Sequence, residues 1–467
     1  MGLGGGGARA SGRPRAEAAR RRSGGGRRGD RRPPAPDGST ARAAAATLLD
    51  HVLHDRQPLD AALARSAGAL AALEPRDAAL VRALTRTALR HLGSIDHILD
   101  RLIEKPLPRK ARFVRQVLRI GAAELLHMRT ADHAAVATAV DVAKREAATA
   151  GFAGLVNAVL RRLQRERETL LAELPPAADT PPWLLARWAA RYGAAEALAI
   201  ARAHQAEPPL DLSVKDDPAG WAARLGGTLL PTGSIRLDTK APVTELPGYA
   251  AGAWWVQDAA AALPVRLFGD LRGRRVADLC AAPGGKTAAL CLAGAEVTAV
   301  DLSAERLARL AQNLDRLGLA ADLVAADVLE WQPQRRFDAI LLDAPCSSTG
   351  TIRRHPDVAW LKSERDVAAL ADLQARLVAR AADWLVPGGT LVYATCSLEP
   401  EEGEAQVPRA LAALPLTLSP IAPDELAGAS RFVTVDGLLR TVPSGVLSAD
   451  PPIAGLDGFF AARFRRR

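Results

Sequence analysis

The sequence predicts a multidomain chain in which an all-α bundle is followed by a doubly wound α/β domain. Three observations carry this. Between about residues 41 and 167 apolar side chains recur at helical spacing with no strand-like alternation. From about 255 onward, short apolar runs of strand length alternate with longer helical stretches. The length of 467 residues suits two or three domains rather than one.

Residues 1–40 are Gly, Arg, Pro and Ser with almost no apolar content, and are expected to be a disordered Arg/Gly-rich tail. Its ten arginines against Glu17, Asp30 and Asp37 account for +7 of the net charge of +9, and the last five residues add four more arginines. The body between is therefore near −2, so any RNA-facing basic surface on it must be local.

In 41–167, Leu48, Leu49, Val52 and Leu53 form one stripe, and Leu80, Val81, Leu84, Leu92, Ile95, Ile98, Leu99 and Leu102 extend over further helices. The bundle closes on VNAVLRRL (156–163), where Arg161 and Arg162 read as helix C-terminal charges. Pro175-Pro176 and Pro181-Pro182 then mark a boundary. The stretch 168–254 reads as a small α/β connecting subdomain, with strand candidates at PLDLSV (209–214) and SIRLDT (234–239). In 255–467 the strand candidates are RVADLC (275–280), AEVTAVD (295–301), ADLVAAD (321–327), FDAILLD (337–343) and GTLVYAT (389–395), which predict a parallel sheet.

The four cysteines form no CxxC pair and no cluster at zinc spacing, so neither a disulfide framework nor a metal site is expected. No apolar run approaches the roughly 20 residues that span a bilayer, and the first residues carry no apolar segment of a secretory signal. A cytoplasmic chain is expected, without a membrane.

In open α/β sheets ligands bind beyond the carboxyl ends of the strands. Here those ends carry CAAPGGK (280–286), Asp301, Asp327, DAPCS (343–347) and TCS (395–397). Core packing does not demand a glycine loop, three carboxylates and two thiols on one rim. The loop matches neither the dinucleotide nor the phosphate-cradling glycine pattern. Asp301, 23 residues beyond Asp278, stands where an acid accepts the ribose hydroxyls of a nucleoside cofactor, and Asp327 stands where one takes the adenine amino group. A lone Asp at a strand end is more often a cap; three around a glycine loop favour the cofactor.

Two thiols and a carboxyl group are the inventory for methylating carbon 5 of cytosine. That carbon is too weak a nucleophile to attack a methyl donor directly. A thiolate adding to carbon 6 makes carbon 5 enamine-like, and an acid at N3 offsets the developing charge. Cys346 and Cys396 lie among polar and turn-forming neighbours and suit this, with Asp343 as the carboxyl group; Cys291, and Cys280 behind the loop, fit buried packing. A free thiol has a pKa of about 8.5, so the site must favour the thiolate of its nucleophile. Spacing alone does not choose between the two cysteines.

At these residues the sequence resembles the NOP/Sun family of RNA cytosine-C5 methyltransferases, and above all its bacterial RsmB-type branch, which modifies 16S ribosomal RNA. The strings are VADLCAAPGGKTAAL, LLDAPCSSTGTIRRHPDVAWL and GGTLVYATCSLEPEE, with VQDAA (256–260) before them and DGFFAARF (457–464) at the end. The resemblance implies an N-terminal NusB-like RNA-binding domain over 41–167 and a Rossmann-like, S-adenosylmethionine-dependent methyltransferase domain over 255–467. It implies that Cys280, Ala281, Ala282, Pro283, Gly284, Gly285 and Lys286 line the cofactor, with Asp301 on the ribose, Asp327 near the adenine and Asp343 between cofactor and base. It makes Cys396 the nucleophile and Cys346 the group that assists product release. The expected partner is RNA rather than DNA, unassembled 16S rRNA in particular, and the chain is expected to be a monomer. The rivals are the same chemistry on tRNA and a non-catalytic RNA-binding or ribosome assembly factor.

The family usually carries an Arg and an Asn in the strand that here reads PLDLSVK, where Ser213 and Lys215 stand. Gln257 and Asp258 are read as bordering the cofactor or, for Asp258, capping a helix. Arg353 and Arg354 are read as phosphate contacts.

Overall fold

The computed structural model describes residues 38–108, 111–145, 148–449 and 452–467. The expected tail lies outside these up to Asp37, and the first helix already begins at Ser39.

The N-terminal region is built from α1 (Ser39–Leu53), α2 (Leu59–Arg65), α3 (Ala67–Ala71), α4 (Pro75–Arg90), α5 (Leu92–Leu102), α6 (Arg112–His127), α7 (Asp132–Arg145) and α8 (Ala153–Ala172), with no strand among its described residues. The stripe Leu48, Leu49 and Val52 packs into one core with Val81, Leu84, Ile95, Ile98 and Leu99, and with Val114, Val117 and Leu118 of α6. Spacings of three and four residues place these side chains on one face of each helix. The buried Arg42 donates from Nε to Glu124 Oε2 at 2.8 Å, tying α1 to α6. Helix α8 runs to Ala172, which corrects the reading of Arg161 and Arg162 as helix-end charges. They lie in mid-helix, and Arg162 pairs with Glu166 one turn on (3.0 Å).

Next come α9 (Pro182–Tyr192), α10 (Ala194–Gln205) and a small antiparallel sheet of β1 (Leu210–Val214), β2 (Thr228–Leu229), β3 (Ile235–Leu237) and β4 (Trp254–Val256), in the order β2-β3-β1-β4 with α11 (Pro218–Leu225) against it. A boundary between 254 and 255 would cut β4, because Trp255 pairs with Ser213 in the ladder. The small sheet thus runs directly into Gln257 and Asp258.

The last region contains α12 (Leu263–Arg266), β5 (Arg275–Leu279), α13 (Gly285–Leu292), β6 (Glu296–Asp301), α14 (Ala304–Leu317), β7 (Asp322–Ala325), β8 (Phe337–Asp343), α15 (Val358–Leu361), α16 (Glu364–Trp384), β9 (Leu385–Thr395), α17 (Gln406–Ala413), β10 (Leu416–Leu418), β11 (Leu439–Thr441), β12 (Val446–Ala449), β13 (Pro452–Ala454) and β14 (Phe459–Arg466). Strands β9-β8-β5-β6-β7 are parallel, as the alternation predicts. The sheet is nevertheless mixed: β14 runs antiparallel beside β9 and carries β10 and β11, so a purely parallel sheet is corrected. The near-continuous apolar runs reflect burial on both faces. Val276, Leu341 and Val392 face Leu263 and Leu290, while Leu279, Ile340 and Leu342 face Leu377, Val378 and Ala381 of α16. From β5 the chain moves outward through β6 and β7, then returns to the other side of β5 with β8. The crevice at this reversal is where ligands bind in such sheets.

The helical bundle meets the segment after the Cys346 loop directly. Leu59 N donates to Asp357 Oδ2 (2.9 Å), Arg90 Nη2 to Arg353 O (2.9 Å) and Trp360 Nε1 to Leu89 O (2.9 Å). Leu184, Trp188 and Ile200 of α9 and α10 pack on Ile352, Ala359 and Leu398. Among the described residues no helix is long and apolar enough to cross a membrane.

Candidate active site

The glycine loop is fixed by its own backbone and by Asp301. After β5, Cys280 takes a left-handed φ of 61°, and Ala281 N donates to Val300 O (3.0 Å). The buried Asp301 accepts Ala282 N on Oδ2 (3.1 Å) and Ser303 N on Oδ1 (3.0 Å). Arg306 Nη2 donates to Ala282 O (2.5 Å), and Asn313 Nδ2 to Pro283 O (3.2 Å). Gly284 has φ +100°, and a Cβ there would stand 2.7 Å from Leu310 Cγ, so only glycine lets the loop lie against α14. A Cβ on Gly285 would approach Gln257 Nε2 at 3.4 Å, which places Gln257 beside the loop.

Beneath the loop Asp278 is fully buried. Its Oδ2 accepts Thr287 Oγ1 (2.7 Å), whereas Oδ1 has no partner. Burial first, then the charges of Asp343 and Asp301, push its carboxyl up to about 7. Burial and the same acids push the Cys280 thiol up to about 12, so it stays protonated at the loop's edge. Lys286 Nζ reaches Asp343 Oδ2 at 2.7 Å and lies 4.8 Å from the centroid of the Phe459 ring. Asp343, at the end of β8, keeps its side chain 31% exposed and so faces the crevice.

The loops after β8 and β9 bring the two thiols together. Cys346 Sγ lies 3.5 Å from Cys396 Sγ, and Ser348 Oγ stands 3.5 Å from Cys396 Sγ. Donation from the Cys346 thiol pushes Cys396 down, helped by Ser348 and the positive charge of Lys286 against burial and Asp343. Cys346 is pushed well up by its partnership with Cys396, by burial and by the nearby Glu402. The two thiols lie close enough for one to donate to the other. Gly350 N donates to Cys396 O (3.0 Å), and Gly458 N to Gly350 O (2.8 Å), bringing the segment before β14 against the thiol loops.

The model described as 16S rRNA methyltransferase RsmB/F matches residues 270–465, and that of the NusB family matches residues 39–165. The ribosomal RNA small subunit methyltransferase B of Salmonella arizonae is 39% identical over 387 residues, 78% of this chain and 88% of that protein. This chain belongs to the RsmB/F family of 16S rRNA methyltransferases. The Klebsiella pneumoniae relative of the same name is 40% identical over 365 residues, 73% of this chain and 83% of that protein. The crystal structure of PH0851 shares the fold, with a TM-score of 0.73 at 21% identity over 92% of this chain and 99% of that one. The fold is that of the S-adenosylmethionine-dependent methyltransferases, behind a NusB-type helical region.

Within this RsmB/F-family site three sequence readings change. Arg353 and Arg354 are not free for phosphates. Arg353 is 3% exposed and pairs with Asp258 and with Asp457 (Nε–Oδ1, 3.0 Å), and Arg354 Nε donates to Asp457 Oδ2 (2.6 Å). Two acids a hydrogen bond apart, Asp457 N donating to Asp258 Oδ1 (3.1 Å), require the buried guanidinium as counter-charge. Asp258 holds a turn by accepting Ala260 N (2.9 Å), but α12 begins only at Leu263 with Ala262 as its N-cap, which corrects the helix-cap reading. Strand β7 ends at Ala325, so Asp327 stands beyond it, exposed, with Oδ1 holding a turn through Leu329 N (2.8 Å). Ser213 Oγ donates to Gln257 Oε1 (2.8 Å), which ties the small sheet to the loop.

Asp278 and Glu402 were missed as site residues. Asp278 could have been found as an acid inside an otherwise apolar strand. Glu402 lies in the quoted string TCSLEPEE, but nothing in its spacing says that it folds back beneath the thiols.

Proposed function

We propose that this chain transfers a methyl group from S-adenosylmethionine to carbon 5 of a cytosine in 16S rRNA, through an adduct between Cys396 and carbon 6. The observation that carries this is the thiol pair 3.5 Å apart on the rim that also holds the Asp343–Lys286 pair.

The cofactor's chemistry fits the loop. Three carboxylates, Asp278, Asp301 and Asp343, act on one another's surroundings, and Asp278 Oδ1 is buried without a partner. The negative surroundings that these acids give the loop suit a cationic ligand. Ala281, Ala282, Pro283, Gly284 and Gly285 would line it, with Asp301 and Asp327 toward ribose and adenine. Bound there, S-adenosylmethionine supplies an electrophilic methyl group on a positively charged sulfur.

The Cys396 thiolate adds to carbon 6, and the electron pair of the carbon 5–carbon 6 bond becomes available at carbon 5, which takes the methyl group. Asp343 reaches N3, where negative charge collects, and must carry a proton to donate there, since an ionised carboxylate would repel that charge; Lys286 holds the carboxyl group in place. Transfer would break the methyl–sulfonium bond and leave its electron pair on sulfur. A base then takes the carbon 5 proton, the freed pair re-forms the carbon 5–carbon 6 double bond and Cys396 leaves as the thiolate, a release that Cys346 assists.

The target base must leave any stack to reach both thiols, at a cost of a few kcal/mol, which favours a single-stranded segment of rRNA before subunit assembly. The NusB-type region supports an RNA substrate. Bisulfite sequencing of rRNA and tRNA from a deletion strain, with labelled cofactor added back alongside the purified chain, tests the proposal. One unconverted cytosine lost from 16S rRNA and relabelled in vitro is expected. Label confined to tRNA would overturn the target, and no label would overturn the enzyme.

A further inference from the structure

Between the two cysteine loops lies a carboxylate that touches neither substrate. Glu402 is fully buried. Its Oε1 accepts Ser347 N (2.8 Å) and Gln374 Nε2 (3.2 Å), and its Oε2 accepts Ser347 Oγ (2.5 Å) and Ser397 Oγ (2.5 Å). Ser347 follows Cys346 in the chain, and Ser397 follows Cys396. The acceptor is itself held from β9, because Tyr393 Oη and Thr395 Oγ1 both donate to Glu402 O (2.6 and 3.1 Å). Gln374 of α16 also donates to Pro345 O (2.9 Å), the residue before Cys346.

We propose that Glu402 is a positioning residue that pins the loop after β8 to the loop after β9 and so holds Cys346 as the hydrogen-bond donor to Cys396. The proposal rests on the reading of Cys396 as the nucleophile. Sulfur is a weak hydrogen-bond partner, so thiol chemistry alone does not fix two loops at this separation. The bond from Gly350 N to Cys396 O (3.0 Å) and the serine pair Ser347 Oγ–Ser397 Oγ (3.1 Å) join the loops, and a carboxylate taking one donor from each serine, plus a backbone amide from the first, fixes their register. The choice of a charged pin has a second consequence. A buried negative charge beside Cys346 opposes a second anion there, and the group pushing Cys346 up includes Glu402. Facing the thiol pair from the surrounding elements are Asp343, Lys286, Arg354, Tyr393 and Glu402. Lys286 favours the anion at Cys396, and Glu402 disfavours it at Cys346. The two charges therefore assign different roles to two chemically identical side chains.

The test is peptide-resolved alkylation of the full chain by iodoacetamide across pH, for the native protein, Glu402→Gln and Ser397→Ala. In the native protein Cys396 is expected to react at lower pH than Cys346. In Glu402→Gln the ratio of the two rates is expected to fall about tenfold. The kcat for methylation should fall on the order of 100-fold, with KM for S-adenosylmethionine changed less than about twofold, as for misplacement of reacting groups rather than lost binding. Ser397→Ala removes one strand of the pin and should shift the ratio in the same direction by less; it decides the matter if Glu402→Gln does not fold. An unchanged ratio in the folded variants, or thiols that titrate together in the native chain, would overturn the proposal. Alkylation needs no RNA. A chain whose ratio responds as stated but which makes no 5-methylcytosine would sink the functional reading and leave the pin standing.

Discussion

The two halves of the rim are finished to different degrees. On the thiol side, the buried polar side chains beside the two cysteines find partners inside the protein, although farther along the loop after β8 the buried Asp357 keeps Oδ1 without one. Ser347, Ser397, Gln374 and Tyr393 all converge on Glu402, and Arg353 and Arg354 converge on Asp457. On the cofactor side, after β5, β6 and β7, acceptors are left open: Asp278 Oδ1 is buried without a donor, and Asp327 is exposed with one oxygen in a turn. The difference teaches where each side obtains its order. A nucleophile must be held before the substrate arrives, whereas a site for a cationic ligand keeps unmatched acceptors that the ligand completes.

The hardest test of this division falls on the thiols. Cys396→Ala should abolish methylation and form no adduct with RNA, while Cys346→Ala should accumulate a covalent protein–RNA species visible on a denaturing gel. An adduct in Cys396→Ala and none in Cys346→Ala would reverse the two roles. The next effect concerns the scaffold under the thiol side. Asp457→Ala leaves the buried Arg353 short of one partner and Arg354 without its carboxylate, and should cost about 3–5 kcal/mol in a denaturant melt. A loss below about 1 kcal/mol would show that this side is not fixed by its charges.

The same contrast explains what the sequence could disclose. The helical bundle and the five parallel strands were legible, because period and strand length report burial locally: Leu48, Leu49 and Val52 by helical spacing, FDAILLD as a strand buried on both faces. The rim was legible because its residues sit at strand ends. The antiparallel β14 was visible only as a family string; its apolar residues carry no mark of direction, which its pairing with β9 fixes. Arg353 and Arg354 look in sequence like any basic pair after a turn. Their partner Asp457 is about a hundred residues away in the chain, and only tertiary structure makes it their counter-charge. Glu402 escaped for a related reason: one acid of a run of acidic residues is selected by the direction of a short turn.

The last expected effect sharpens the cofactor side, and its sign is definite. Asp278 has its carboxyl raised from 3.8 to about 7, with burial as the main cause. A raised value means that the folded state holds the proton more tightly than the unfolded chain. The associated stability is fully present below pH 4 and lost as pH rises toward about 7, amounting to at most about 4 kcal/mol. Native protein without cofactor should therefore lose stability relative to Asp278→Asn over that window, while Thr287 keeps a partner in both. Cofactor binding should run the other way. The positively charged ligand favours the ionised carboxylate, so affinity in the native protein should weaken as pH falls below about 7, and Asp278→Asn should lack that dependence. Calorimetric titration with S-adenosylhomocysteine, which lacks the positive sulfur, separates the two halves of the argument. If the open oxygen faces the sulfonium, the neutral analogue should show a weaker pH dependence than S-adenosylmethionine. If both ligands show the same dependence, Asp278 acts on the ligands' common part. If neither does, the open acceptor serves the folded loop and not the cofactor.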